Sequence, residues 1–436
     1  MTDSAQWRHE TWQDLTFEVP ATWTSHPGPD LVLTHPTRAD ITYTPTLRAR
    51  YLDAQGRTIT QSATLTAAVM TSLVQEGYWL DVLPVRLQSG TATRLGRRQV
   101  FVQSSSVGDL ITYLWLFEAG DLLLEVSAYC TVAQSVHLQP LLLHLGDSIT
   151  WNPDRGVSVA QRSTDDDLLG QRLQDFPAQE PRWDEITSAA YGMPLESLSK
   201  VRGSQAWRHD GEWLDTTQQE SITSTAQAEA EHLHTLGLDP ASPSGAHHPA
   251  LTALSSPHRH SVALYTTRGD SVLDVHLSTD GFAGWSGPDI QAFLSDGEAE
   301  ESASTERRQF ISGDWSLLSR LTLSWTGVAP AWVGWPPLQV PWSYLESKTR
   351  TGAPVSATPT GLPPELASDR WWLFVLQSQA STPEPWLVTE SHGCFAITGE
   401  PDADHVVLAQ VSPLTVFTEI NRYWDQATDA TRTLRG

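Results

Sequence analysis

The stretch Trp386–Trp424, WLVTESHGCFAITGEPDADHVVLAQVSPLTVFTEINRYW, restricts the fold more than any other part of the chain. WLVTES and CFAIT alternate apolar and polar residues with the two-residue period of half-buried strands, and DHVVLAQV follows a Gly399-Glu400-Pro401-Asp402 turn signal. Pro413 suits the first turn of a helix in which Leu414, Phe417, Ile420 and Trp424 recur at helical spacing. That helix carries one apolar stripe, so it is expected to lie across a sheet, leaving the opposite sheet face or the loops for a partner. Val262–Leu294 runs similarly, as strand, Gly turn, strand, polar turn with Pro288, and helix. The two stretches read as a pseudo-repeat.

At 436 residues the chain is too long for one ordinary core, and two or three domains are expected. Its 27 basic and 51 acidic side chains give a net charge of −24, and Lys200 and Lys348 are the only lysines. Residues 1–152 hold 14 acidic and 9 basic side chains (14 − 9 gives net −5), and the remaining 37 and 18 give −19. Such a surface repels phosphate, which argues against nucleic-acid or anionic-membrane binding. Cys130 and Cys394 are the only cysteines, so this is no disulfide scaffold. MTDSAQWRHE lacks an apolar signal core and no apolar run approaches the ~20 residues of a membrane helix, so a cytoplasmic location is expected.

Along residues 1–152, Leu15–Pro20, Asp30–Thr34 and Ile41–Tyr51 read as strands. Thr64–Glu76 reads as a helix with Gly77 as its C-cap. Val82–Leu87, Arg97–Ser104, Leu110–Glu118 and Leu122–Tyr129 restore the strand period, the last two joined across Ala119-Gly120-Asp121. Val132–Leu145 is a second helix, stopped by Gly146, and Ser148–Trp151 a closing strand. The expected class is α+β: an N-terminal antiparallel sheet with two helices, then a pseudo-repeated α+β module with antiparallel sheets. FEVPATW, the LITYLWLFEAGDLLLEVSAY hairpin and the terminal helix running into SITW resemble the PsbP-like fold shared by DcrB-like and LpqN-like bacterial proteins. That resemblance implies a binding or assembly module.

Asn152–Arg182, with its acidic triplet and prolines, reads as a linker (153–182) before a module over 183–436. Its halves fall at about 183–327 and 328–436. Asp296–Glu306 and Thr349–Pro364 read as exposed loops, Arg307–Trp325 as a return of the strand pattern, and Val328–Pro341 is dense in Pro and Trp. EAEHLHTLGLDP, HPALTALSSPHRHSVALYTTRGDSVLDVHLSTDGF, WLVTESHGCFAI and VVLAQVSPLTVFTEI, in that order, resemble the EspG family of type VII secretion chaperones over roughly Met193–Trp424. The resemblance implies a cytosolic protein of two quasi-repeated sheet-and-helix halves that binds the tip of helical-hairpin secreted proteins.

Motifs that invite an enzymatic reading are short. Gly146-Asp147-Ser148-Ile149-Thr150 and Asp402-x-x-His405 match the opening and closing blocks of Gly-Asp-Ser esterases, in which Ser148 would be the nucleophile and His405 its base. The serine there should follow a buried parallel strand, whereas Val132–Leu145 is helical in pattern and His405 enters a strand. His247, His248, His258 and His260 lack Cys or HExxH-type spacing, so they read as surface loop residues and no metal or cofactor is expected. His392 and Cys394 share a strand face at i, i+2, with nothing nearby to lower a thiol pKa. Trp332-Val333-Gly334 sits among prolines that forbid a helical hairpin.

Most of the 19 tryptophans are expected in cores. Trp332, Trp335 and Trp342, held among prolines, and Glu298, Glu300 and Glu301 of the acidic loop are the candidate partner-binding residues. Three functions are distinguished: a non-catalytic chaperone or adaptor of helical-hairpin export substrates, a protein- or lipid-binding scaffold working through residues 1–152, and an esterase using Ser148.

Overall fold

The structure is a computed structural model. It describes residues 6–36 and 43–152 (without 60, 64, 67–76, 90–91, 104 and 106–108), 214–215, 233–234, and 249–433 (without 280, 295–306, 329–335, 378–383, 391 and 400–403). Two compact units divide the chain, Met1–Gly203 and Ser204–Gly436. The expected linker at 153–182 lies outside the described residues.

The first unit is one sheet built from β1 (Trp7–Trp12), β2 (Leu15–Pro20), β3 (Thr24–His26), β4 (Leu31–Thr34), β5 (Thr46–Asp53), β6 (Gly77–Ser89), β7 (Ala92–Gln103), β8 (Leu110–Ala119), β9 (Leu122–Thr131) and β10 (Thr150–Trp151). Their order is β1-β2-β10-β6-β7-β8-β9-β5-β4-β3, and only β10 with β6 is parallel. The β8–β9 hairpin turns at Gly120, whose φ of 70° suits glycine. Helix α1 (Val132–Asp147) starts at a reciprocal capping box, Thr131 with Gln134.

Two expectations for this unit are corrected. Gly146 does not stop α1: the helix runs to Asp147 and is capped at Ser148. A Cβ on Gly146 would meet the Trp115 ring at 2.2 Å, so the glycine is there to let helix and sheet touch. The helical residues start before Thr64, at Ile59; Gly77 opens β6, and residues 67–76 of the expected helix lie outside the described residues. The start signal is again a capping box, since the Thr58 N–H donates to Gln61 Oε1 at 2.9 Å and the Gln61 N–H to Thr58 Oγ1 at 3.3 Å. The polar strand WRHETW of β1 lacks an apolar alternation, and pairing with β2 is what makes it a strand.

In the second unit a single sheet contains β11 (Leu214–Asp215), β12 (Arg259–Thr266), β13 (Gly269–Ser278), β14 (Gly281–Ser286), β15 (Arg307–Gly313), β16 (Leu338–Pro341), β17 (Trp371–Gln377), β18 (Glu384–Thr389), β19 (Gly393–Thr398) and β20 (His405–Val411). The order is β11-β15-β14-β13-β12-β17-β18-β19-β20-β16. It reads the same way outward from its centre. On each side a four-strand meander runs from the central pair, β12 with β17, to an edge closed by a short strand that precedes the meander in sequence. Among the described residues the unit also carries helices α2 (Pro249–Leu254), α3 (Ile290–Leu294), α4 (Leu318–Thr326), α5 (Trp342–Thr349), α6 (Pro364–Ser368) and α7 (Pro413–Thr433).

The pseudo-repeat is therefore present, with corrected members. The polar turn expected before Pro288 contains a buried strand, β14, in which Gly284 passes so close to Asp274 that a Cβ would lie 1.9 Å from its carbonyl oxygen. The strand pattern expected over Arg307–Trp325 ends at Gly313, and LSRLTLSWT is helix α4, closed by Gly327 at φ 69°. As the helix that follows the fourth strand, α4 is the counterpart of α7. The two pack together, with Ser319 Oγ donating to Asn421 Oδ1 at 3.0 Å and Trp424 Nε1 to Thr322 Oγ1 at 2.9 Å.

Candidate functional site

Because side chains alternate along a strand, the second sheet has two distinct faces. One carries Val262, Leu264, Val275, Phe374 and Leu376, all buried. The two repeat helices cover it. Trp424 and Tyr423 of α7 stand edge-on to His260, on the Val262 side of β12, and Trp372 Nε1 donates to Thr326 O at the end of α4 at 2.8 Å. Leu414, Phe417, Ile420 and Trp424, the stripe visible in the sequence, are buried as expected.

Among the described residues, the opposite face is covered only at its flanks. Towards β20, α5 and α6 pack Tyr344, Leu345 and Leu366 against Trp371, Leu387, Phe395 and Leu408. Towards β15, Ala250 and Leu251 of α2 pack on Trp285 and Phe310. Between the flanks, β13, β12 and β17 present Val272, which is 40% exposed, beside half-buried Tyr265, Leu373 and Val375. Three strands at about 4.8 Å spacing give a floor about 10 Å across, the width of one α-helix with its side chains. The rim is charged. Arg259 grips Asp274 at 2.6 and 3.1 Å, and the carboxyl of exposed Asp270 is raised by desolvation against the opposing pull of Arg350. This arrangement suits apolar contact with polar registration at its edges.

At one end of the central strands a cleft of about 180 Å³ opens between the β12–β13 turn, α3, α5 and the start of β17. Arg268, Lys348 and Arg370 line it together with Phe293, Trp371 and Trp372. Arg268 Nη1 donates to Phe293 O at 3.0 Å, and Arg370 donates to Leu294 O at 2.6 Å and twice to Glu390 at 2.8 Å. Lys348 Nζ donates to Ala367 O and Asp369 O, both at 2.8 Å, and stands 5.6 Å from the Trp371 ring centroid. Burial lowers the pKa of Lys348, with the Asp369 charge opposing.

Of the candidate partner-binding residues singled out in the sequence, Trp342 alone lies among the described residues. Trp332, Trp335, Glu298, Glu300 and Glu301 lie outside the described residues, as do His247, His248 and Asp402. Trp342 opens α5 and packs half-buried on the core under that helix, which makes it a structural residue on the flank. Ser148 is committed to the backbone: its hydroxyl donates to Leu145 O at 2.9 Å and accepts the Glu18 N–H at 3.0 Å. His405 opens β20 in the other unit.

His392 stands just before β19 rather than on it, and its Nδ1 faces Asp369 at 2.9 Å. Cys394 and Cys130 are buried, and burial pushes the Cys130 thiol far above its ordinary value. Half-buried His260 is lowered chiefly by desolvation, then by the charges of His258 and His276. Among the described residues no three His, Cys, Asp or Glu side chains form a metal-holding group, and no helix is long and apolar enough to cross a membrane.

Sequence reasoning missed Val272, Leu373 and Val375, because the floor is assembled from both halves of the repeat. For the cleft, the available signal was Lys348, one of two lysines in the chain.

No family model and no curated relative matches the chain. Solved structures with limited similarity include a Pseudomonas aeruginosa protein of unknown function, PA94, described as a putative regulator (12% identity, 33% of this chain and 95% of that one, TM-score 0.23). LpqN of Mycobacterium tuberculosis, described as involved in cell envelope biogenesis, is 12% identical over 35% of this chain and 87% of its own, with a TM-score of 0.24. Cyanobacterial PsbP from Synechocystis sp. PCC 6803 is 10% identical over 34% and 95%, with a TM-score of 0.25.

Proposed function

We propose that the second unit is a non-catalytic, cytosolic chaperone or adaptor that holds an apolar helical segment, the tip of a helical-hairpin export substrate of a type VII-like secretion system. The observation that carries this reading is the asymmetry of the sheet among the described residues: one face covered by the two repeat helices, the other without a helix over Val272, Tyr265, Leu373 and Val375. The palindromic strand order is compatible with the two-halved architecture that the EspG resemblance implies. An apolar strip about one helix wide, rimmed by charge, is what a helix-in-groove partner requires. In this reading the first unit is a PsbP-like assembly module attached to the chaperone.

The test is affinity purification of the full chain and of residues 204–436 from the native host, with identification of what is retained. The expected result is a small helical-hairpin protein bound by both forms. Retention by the full chain but not by residues 204–436 would instead favour a scaffold acting through the first unit.

A further inference from the structure

We propose that the cleft between the β12–β13 turn, α3, α5 and β17 is a binding site for the carboxylate end of an apolar ligand. The residues from 153 onward carry a net charge of −19, yet three cationic side chains, Arg268, Lys348 and Arg370, line one cleft with a single carboxylate, Asp369. The centre of the site is Lys348. Its contacts among the described residues are two neutral carbonyls, of Ala367 and Asp369, and the Trp371 indole face. An ammonium has three donors, so two hold it in place and one remains for an occupant. The nearby Asp369 carboxylate is turned to other groups, accepting the Arg370 N–H at 3.2 Å on one oxygen and facing His392 Nδ1 at 2.9 Å with the other.

A partly desolvated ammonium that donates to carbonyls and to no carboxylate among the described residues, with Asp369 acting on it only through space, gains more from an anion than a surface lysine does. The walls set the rest of the ligand. Phe293, Ile290, Trp371 and Trp372 give the cleft apolar sides, and about 180 Å³ is roughly six water volumes, room for a short branched acid. The same chemistry is offered by a free small acid or by a peptide C-terminus ending in an aliphatic residue. This site uses different residues from the open sheet face, so it stands or falls separately from the chaperone reading.

Calorimetric titration of the full chain tests it with 4-methylpentanoate, 4-methylpentanamide, and a leucine-terminated hexapeptide as free acid and as amide. Binding of either acid with the matching amide at least about tenfold weaker is expected. Binding of the small acid alone identifies a free acid as the ligand, and binding of the peptide acid identifies a chain terminus. Lys348→Met keeps the stem over Trp371 and should weaken acid binding about tenfold or more, whereas Lys348→Arg should retain part of it. Equal affinity for acid and amide, no binding of either acid at roughly 10 mM, or undiminished binding by a folded Lys348→Met chain would overturn the proposal. Should Lys348→Met not fold, the acid-to-amide comparison on the unmodified chain and the Arg268→Gln variant, expected to weaken acid binding, decide it.

Discussion

Gly146→Ala reverses an ordinary helix rule. In an exposed helix interior the exchange gains about 1 kcal/mol, because alanine has the better propensity. At Gly146 the new Cβ would stand 2.2 Å and 2.3 Å from two carbons of Trp115, a fully buried ring on the central strand β8. Carbon atoms pack best at about 3.5–4.0 Å, so helix and ring must separate by more than about 1 Å. Overpacking of this kind costs about 1–3 kcal/mol, and an immovable buried indole puts the cost near the upper end, about 3. Subtracting the propensity gain leaves a net loss of about 2 kcal/mol. For a unit of this size that is a fall of about 4–8 °C in Tm. Calorimetric melting of the full chain resolves a shift of this size in the transition of the first unit. An unchanged or raised Tm would refute the close-packing account of the Gly-Asp-Ser segment and return the motif to consideration as chemistry.

Further outcomes follow from the same contacts. Thr131→Ala removes one half of the α1 capping box and should cost about 1 kcal/mol in urea unfolding, with Thr131→Ser retaining most of the stability. Arg50→Leu strands Glu125 in a pair whose side chains are only 5% and 3% exposed, and should cost about 3–5 kcal/mol; the double variant Arg50→Leu/Glu125→Leu should recover much of that loss in the same assay. His260 has its folded-state pKa lowered, so the unfolded chain takes up the proton first; stability is fully present above the unfolded value near pH 6.5 and falls as pH drops below it. Denaturation midpoints of His260→Phe between pH 5 and 7.5 should show a shallower acid loss than those of the unaltered chain.

The sequence was informative where one periodicity had one outlet. The α7 stripe from Leu414 to Trp424 could only cover a sheet, and Ala119-Gly120-Asp121 between two apolar runs could only be a hairpin. It misled where long-range contact outweighed local pattern. GFAGWS has two glycines and looks like a turn, yet it is a buried strand because Gly284 admits the Asp274 backbone. LTLSW alternates like a strand, yet its apolar residues serve helix α4, whose neighbours are α7 and α3. The open face was legible only as the side opposite α7. Its floor and the cleft were not, since Arg268, Lys348 and Arg370 come from three separated stretches and meet only through the β12–β17 pairing.

The most direct measurement of the chaperone reading is co-purification of the host partner with full-length chains carrying Val272→Glu, compared with Thr131→Ser as a control in the first unit. Val272 is 40% exposed on the open floor, so glutamate there should leave the fold intact while placing a charge where an apolar helix must sit. Loss of the partner from Val272→Glu, with retention by the control and unchanged melting of both, is the predicted result. Full retention of the partner by Val272→Glu would contradict the assignment of the open sheet face as the binding surface.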